Sequence, residues 1–177
     1  MARVRDTMLK RITQLYDLLL KACVVLAGLL ITIGIVLVIV DVMMRATGFK
    51  PPGFTVAFVE YILLYFVLLA APYLVREKGH VFTDMAVGRL PAGPRRFIEK
   101  LVYVLCIAVS LVFAYMGAVL FEEGWRFGFV DERSVDIPYW ALYVLFPLCF
   151  TMIAIEFARY LFGADSMYAR EQSLESM

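Results

Sequence analysis

Four long apolar stretches constrain this chain more than any other feature of its sequence. They run over about residues 18–44, 54–75, 97–121 and 137–162, and most charged residues lie outside them. A helix needs about 20 mainly apolar residues to cross the hydrocarbon core of a bilayer. Apolar residues make up 63% of the chain, against about 45–50% in soluble domains. The sequence therefore predicts an all-α integral membrane protein whose four transmembrane helices form a single domain over residues 1–177.

Lysine and arginine are unevenly distributed among the connections between the stretches. They are concentrated before the first stretch and between the second and third, whereas the third connection is mainly acidic. An excess of basic residues marks the cytoplasmic loops of membrane proteins. The distribution predicts that both termini and the middle connection are cytoplasmic, and that the first and third connections lie on the outer side.

The segment before the first stretch has the pattern of an amphipathic helix. Basic residues such as Arg3, Lys10 and Arg11 alternate at helical spacing with apolar ones. A helix with one apolar and one basic face is typical of the membrane interface. We predict an interfacial helix over residues 3–17; a simple cytosolic extension of the first span is the alternative. The apolar residues of this amphipathic pattern are Val4, Met8, Ile12, Leu15 and Leu19.

The last residues, 165–177, are polar and predicted to be mobile.

Glu60 places a carboxylate inside the second apolar stretch. A charge in hydrocarbon costs several kcal/mol unless it is paired or lines a cavity. Arg45 ends the first stretch on the same predicted side, and Asp41 lies one helical turn before it. A guanidinium keeps a neighbouring carboxylate ionised and can contact it with two donors. We predict a structural ion pair between Arg45 and Glu60 with Asp41 as a second acceptor; the alternative is that Glu60 binds a proton or a sodium ion.

The sequence contains none of the common catalytic or cofactor-binding patterns. His80 is the one histidine and lies in a connection, so an intramembrane bis-histidine haem is excluded. No H-E-x-x-H, C-x-x-C or G-x-S-x-G motif and no phosphate-binding glycine loop occurs. The three cysteines fall inside apolar stretches, as packing residues do. We expect no enzymatic activity, no cofactor, no metal site and no binding to nucleic acid.

Four local patterns, in this order, resemble the small membrane subunit of tripartite ATP-independent periplasmic (TRAP) transporters, the DctQ-like family. The resemblance covers roughly residues 15–160. The patterns are Arg45 followed by Gly-Phe-Lys-Pro at 48–51, the pair Glu60-Tyr61, the signature Arg76, His80 and Asp84, and Ile-Pro-Tyr-Trp at 137–140 with Pro147.

The resemblance implies a non-catalytic subunit of a sodium-coupled, binding-protein-dependent secondary transporter for organic acids, located as a multi-pass protein in the bacterial inner membrane. Such a subunit braces a large multi-span transport subunit and helps a periplasmic substrate-binding protein to dock. Both proteins are expected partners, together with membrane lipids. Arg76, His80 and Asp84 are then a cytoplasmic motif.

The charged residues of the third connection are the candidates for docking the binding protein, and a solvated loop is the alternative. We call them the candidate docking surface. They are Glu122, Glu123, Arg126, Asp131, Glu132, Arg133 and Asp136.

Two other functions remain open at this stage. The first is a small self-assembling proton-coupled exporter or channel that uses Glu60. Transporters that act alone usually contain repeats and broken helices, and neither is evident in this sequence. The second is a structural protein of an unrelated membrane complex.

Overall fold

The described part of the protein consists of four long helical segments and one short β-hairpin. The computed structural model describes residues 2–77, 92–132 and 135–162. The predicted mobile tail over residues 165–177 lies outside them. In chain order the elements are α1 (Ala2–Ala46), α2 (Thr55–Arg76), α3 (Ala92–Phe127), β1 (Val130–Glu132), β2 (Asp136–Pro138), α4 (Tyr139–Tyr143) and α5 (Leu145–Leu161).

Among the described residues, four helical segments are long and apolar enough to cross a membrane, which confirms the number and approximate positions of the predicted spans. The fourth of them combines α4 and α5. The segments are Thr13–Ala46, Thr55–Arg76, Phe97–Phe127 and Tyr139–Leu161.

The first helix continues through the segment for which the sequence leaves two arrangements open. Residues 3–17, predicted as an interfacial helix with an extension of the first span as the alternative, run into that span as one helix of 45 residues. Because no glycine or proline occurs before Gly28, nothing in the sequence ends the helix earlier. At 1.5 Å per residue α1 is about 68 Å long, more than twice the hydrocarbon thickness of about 30 Å. The position of residues 3–17 on the membrane surface stays a prediction.

A glycine-dependent cap ends α1. Gly48 has a positive φ of 82°, its N–H donates to the carbonyl of Arg45, and the N–H of Phe49 donates to that of Met44. This pair of bonds is the Schellman motif, which needs a left-handed residue and so favours glycine. The connection then turns at Pro51-Pro52-Gly53, and the hydroxyl of Thr55 donates to the carbonyl of Pro52 at the start of α2.

The chain divides into two compact units, and the first contains α1 and α2 as far as Tyr73. The buried residues Leu20, Cys23, Ala27 and Gly34 follow one face of α1. At Gly34 the two helices approach closely, since a Cβ atom there would lie 3.1 Å from Cγ2 of Ile62. The prediction of one four-helix domain over the whole chain stays a prediction.

The second unit contains the end of α2, then α3, the hairpin, α4 and α5. Two glycines let α3 approach the fourth span. A Cβ at Gly117 would meet Cβ of Phe146, and one at Gly124 would lie 2.6 Å from the backbone nitrogen of Trp140. Small residues let membrane helices come this close and gain van der Waals contact.

α4 and α5 adjoin at Val144, whose backbone dihedrals remain helical (φ −57°, ψ −35°), so the fourth span continues as one helical segment. Pro147 removes one helical hydrogen bond here, because proline lacks the N–H that would bond to the carbonyl of Tyr143 and its ring crowds that carbonyl. The sequence predicts a bend at Pro147, and the change of element lies one turn before it. Pro72, by contrast, lies within the unbroken α2.

The hairpin is an element that the sequence analysis did not predict. β1 and β2 are antiparallel, with Val130 opposite Pro138, Asp131 opposite Ile137 and Glu132 opposite Asp136. The N–H of Tyr139 donates to the carbonyl of Phe129 at 2.9 Å. This bond ties the start of α4 to the segment that leaves α3.

Candidate functional site

Arg45 is paired within its own helix. Its Nε donates to Oδ2 of Asp41 at 2.7 Å, and its Nη2 lies 3.5 Å from Oδ1. The side chain of Asp41 is 14% exposed and that of Arg45 is 58% exposed. Asp41, expected as a second acceptor, thus forms a two-pronged contact with the guanidinium. The pair between Arg45 and Glu60 stays a prediction.

Glu60 lies in α2 with an exposed side chain, next to the buried residues Tyr61 and Ile62. The carboxylate is therefore on the outward side of the helix in the isolated chain. Glu60 and Arg45 both belong to the first unit. A membrane-spanning helix that carries an outward carboxylate needs a polar environment for it.

A second intramembrane carboxylate, Glu156, has the opposite surroundings. Its side chain is only 2% exposed, and both of its oxygens lie 3.1 Å from Nη1 of Arg159. The pair has i,i+3 spacing, which places two side chains next to each other on a helix. The burial of Glu156 was not predicted from the sequence. The sequence singles out Glu60, whereas Glu156 is the glutamate that the fold encloses.

The end of α2 is held by a tyrosine from the last helix. The hydroxyl of Tyr160 donates to the carbonyl oxygens of Val75 and Arg76 at 3.0 and 2.8 Å. Tyr160 also contacts Tyr103 of α3, with ring centroids 6.0 Å apart. Because the last carbonyls of a helix have no partner within it, this hydroxyl satisfies groups that would otherwise need water.

The predicted cytoplasmic motif begins where this contact ends. Arg76 is the last residue of α2. His80 and Asp84 lie outside the described residues, so their relation to Arg76 stays a prediction.

The candidate docking surface lies at the end of α3 and on the hairpin. Nη2 of Arg126 lies 3.0 Å from Oε1 of Glu122, and both side chains are largely exposed. The hairpin register sets Glu132 directly opposite Asp136, and both are exposed. Two carboxylates at opposed positions concentrate negative charge at this edge, and like charges so placed repel each other. Arg133 lies outside the described residues; Glu123 is exposed and Asp131 is half-buried.

Exposed aromatic rings accompany these charges. Trp125 and Trp140 form an edge-to-face pair with ring centroids 5.8 Å apart. The ring centroids of Phe127 and Phe129 are 5.6 Å apart. All four side chains are exposed. Aromatic rings at the ends of spans favour the membrane–water interface. The acidic edge therefore lies next to a set of rings suited to the membrane boundary.

The described residues offer no metal centre. Among residues 2–77, 92–132 and 135–162, no group of three or more His, Cys, Asp or Glu side chains is arranged to hold a metal ion. The polar chemistry of this part of the chain consists of ion pairs and charged surfaces.

The four candidate spans with their ion pairs and charged hairpin match one known protein family. The family model of the DctQ component of tripartite ATP-independent periplasmic transporters matches residues 34–166. The chain belongs to this family. No curated protein and no solved structure matches the chain.

Membership of the DctQ family confirms the resemblance drawn from the four local patterns. The family is a transporter component and not an enzyme family. Together with the four candidate spans, it makes the chain a multi-pass membrane protein. The match includes Arg45, Glu60, Arg76 and the candidate docking surface, but not the long first part of α1.

Proposed function

We propose that this DctQ protein is the non-catalytic small subunit of a sodium-coupled, binding-protein-dependent transporter for organic acids. In this role it braces the large transport subunit in the bacterial inner membrane and helps the periplasmic substrate-binding protein to dock. The observation that carries the proposal is the family match over residues 34–166. The family's function depends on partners, and four spans without evident repeats are poorly suited to transport by one chain alone.

The orientation follows the positive-inside rule, with both termini and the middle connection in the cytoplasm. The candidate docking surface then faces the periplasm, and Arg76, His80 and Asp84 form a motif at the cytoplasmic side. Opposite charge on the binding protein would speed and orient its encounter with the acidic hairpin. The aromatic rings beside the hairpin would meet the lipid headgroups, and residues 3–17 would lie on the inner leaflet.

Reconstitution with defined components tests this function. Liposomes receive the large subunit alone, this chain alone, or both, and uptake of a labelled organic acid is measured with the binding protein and an inward sodium gradient. We expect uptake only when both membrane subunits are present, and loss of uptake when either the sodium gradient or the binding protein is omitted.

The same experiment evaluates the alternative of an independent exporter or channel. Proton-dependent flux in liposomes that contain this chain alone, abolished by Glu60→Gln, would contradict the accessory role. Uptake by the large subunit and binding protein at an equal rate without this chain would contradict it as well.

A further inference from the structure

Tyr115 carries a hydroxyl on the outward side of α3. The residue is 65% exposed, and among the described residues no group forms a hydrogen bond with its hydroxyl. Two threonine hydroxyls in other spans are bonded within their own helices: Thr32 donates to the carbonyl of Gly28, and Thr151 donates to that of Pro147. A tyrosine hydroxyl stands at the far end of a rigid ring, so Tyr115 cannot use the carbonyls of its own helix in this way.

The depth of Tyr115 keeps its hydroxyl away from the membrane surface. Residues 101–121 of α3 include no charged side chain and span about 30 Å, the thickness of the hydrocarbon core. Tyr115 lies about 10 Å before Glu122, the first charged residue after this stretch. Helical side chains lean toward the N-terminus of their helix, which here is toward the middle of the stretch. A hydroxyl in an apolar medium is unfavourable without a hydrogen bond, so this position favours a neighbour that supplies one.

Tyr115 belongs to one stripe of exposed residues along α3. Leu101, Ala108 and Val112 are exposed as well, and at about 100° per residue the four positions fall within an arc of about 60°. The buried residue Ala114 lies about 100° from the nearest of them. The small side chain of Ala108, about two turns before Tyr115, lets a neighbouring helix come close. We call these four residues the helix-3 stripe.

The end of the helix-3 stripe near Glu122 leads to the candidate docking surface. Arg126 follows the same line along α3 and pairs with Glu122 at 3.0 Å. In the proposed function the binding protein docks there and delivers its substrate to the large transport subunit, so the large subunit has to adjoin this end of the chain. We infer that the helix-3 stripe binds the large subunit, which supplies a hydrogen-bonding group to the hydroxyl of Tyr115. This inference rests on the proposed function.

Two other occupants of the stripe fit less well. Lipid acyl chains supply apolar contact but no hydrogen-bonding group at the depth of Tyr115. A second copy of this chain, related by a two-fold axis, would bring two Tyr115 hydroxyls together. That copy, however, would come between the candidate docking surface and the large subunit. The large subunit is a membrane protein and can supply both the apolar contact and the polar partner.

Cross-linking in the assembled complex tests this interface. A photo-reactive amino acid is placed singly at Ala108 and Val112, and at two exposed apolar control positions, Val109 of α3 and Leu148 of α5. Val109 points about 100° away from Ala108 on the same helix. A tag on this chain recovers the complex after irradiation of native membranes. We expect covalent adducts with the large subunit from the two stripe positions and lipid adducts from the two controls.

The possible results separate the interface from the function. Recovery of the large subunit without adducts from the stripe, or with equal yields from stripe and control positions, overturns the inference while the proposed function stands. Adducts from the stripe with lipid alone, or between two copies of this chain, overturn the choice of occupant. Failure to recover the large subunit with the unmodified chain contradicts the proposed function, and the inference with it.

Tyr115→Phe tests the hydrogen bond. It keeps the ring and removes the hydroxyl, so the complex with the large subunit loses one hydrogen bond. We expect the dissociation constant of the purified complex in detergent to rise about two- to tenfold. The thermal midpoint of this chain alone should not fall, because the hydroxyl has no partner in the described part of the chain. An unchanged dissociation constant would overturn the hydrogen bond to the large subunit.

Tyr73→Phe is the matched control for this substitution. It also removes one hydroxyl, from a half-buried tyrosine of α2. The dissociation constant of this variant should equal that of the unmodified complex. An equal rise in both variants would show that the loss does not come from the helix-3 stripe, and would contradict the contact at Tyr115.

Discussion

Glu156 is a buried carboxylate that is paired with Arg159. Its carboxylate is 2% exposed and is contacted through both oxygens by Arg159, which is 41% exposed. Arg159→Met retains most of the side-chain length but removes the donors. A buried acceptor that loses its partner costs about 1–3 kcal/mol, so we expect this loss in the free energy of unfolding. Thermal unfolding of the purified chain in detergent micelles measures it.

Arg126 supplies the matched control for this substitution. It pairs with Glu122 at 3.0 Å, but both side chains are largely exposed. Exposed ion pairs contribute about 0–1 kcal/mol, so Arg126→Met should change the unfolding midpoint little. Equal destabilisation by the two substitutions would show that burial of Glu156 does not set the strength of its pair.

Glu60 and Glu156 show that a contact within one helix can be predicted from the sequence, whereas the burial of a single residue cannot. Spacing alone predicts the Glu156–Arg159 contact, because residues three apart on a helix are neighbours. Spacing does not give the rotation of a helix about its axis. In a soluble helix the apolar stripe reveals the buried face, but α2 and α5 are apolar on nearly every side. Which of Glu60 and Glu156 is enclosed is therefore decided by packing that the sequence does not display.

Close approach of α3 to the fourth span depends on two glycines. A Cβ at Gly117 would overlap Cβ of Phe146, and one at Gly124 would lie 2.7 Å from Cβ of Tyr139. Gly117→Ala and Gly124→Ala should each cost about 1–3 kcal/mol, as overpacking does. The free energy of unfolding in a mild detergent with added denaturant measures the loss.

Gly28→Ala is the control for these two substitutions. Gly28 lies in α1, and no atom lies within 4 Å of a Cβ built there. Alanine favours a helix over glycine by about 1 kcal/mol, so this variant should be neutral or more stable. A loss similar to that of Gly117→Ala would mean that the helix contact is not the cause.

The end of α2 should loosen when the hydroxyl of Tyr160 is removed. Tyr160→Phe keeps the ring but leaves the carbonyls of Val75 and Arg76 without this donor. A hydrogen bond contributes about 0.5–1.5 kcal/mol, and we expect faster amide exchange in the last turn of α2. Hydrogen-exchange mass spectrometry detects this faster amide exchange.

Tyr73→Phe removes a hydroxyl from a half-buried tyrosine of the same helix. No change in amide exchange is expected for this control. A similar increase in both variants would contradict a specific role of Tyr160 at the end of α2.

The elements themselves were predictable to different degrees. Length and hydropathy predict the four spans, because both act over some 20 residues at once. The boundary between α4 and α5 at Val144 fits the position of Pro147, which lacks the N–H that would bond to the carbonyl of Tyr143. The hairpin could not be predicted, since each strand has three residues, too few to establish an alternating pattern.

On the scale of the whole molecule, we propose that one charged surface meets the soluble partner. The candidate docking surface combines acidic side chains with the exposed aromatic rings Trp125 and Trp140 and suits a soluble partner at the membrane boundary. The sequence predicts the residues of the candidate docking surface, and the hairpin register adds that Glu132 and Asp136 form one acidic edge.

Charge reversal at this edge should weaken docking of the binding protein without disrupting the hairpin. Glu132→Lys places a cation opposite Asp136, which replaces a repulsive cross-strand pair with an attractive one. The local charge becomes less negative by two units, so electrostatic steering of a basic partner decreases. In liposomes with both membrane subunits, we expect a higher binding-protein concentration for half-maximal uptake and a smaller dependence of uptake on salt.

Glu77→Lys is the matched control, because it reverses one exposed carboxylate next to the end of α2, on the predicted cytoplasmic side. It changes the net charge equally but leaves the hairpin unaltered, so uptake should respond to the binding protein as in the unmodified transporter. Saturating binding protein should restore the maximal rate of Glu132→Lys, since steering affects the encounter and not the transport step. An unchanged half-maximal concentration in Glu132→Lys, or an equal shift in Glu77→Lys, would exclude the acidic edge as the docking site.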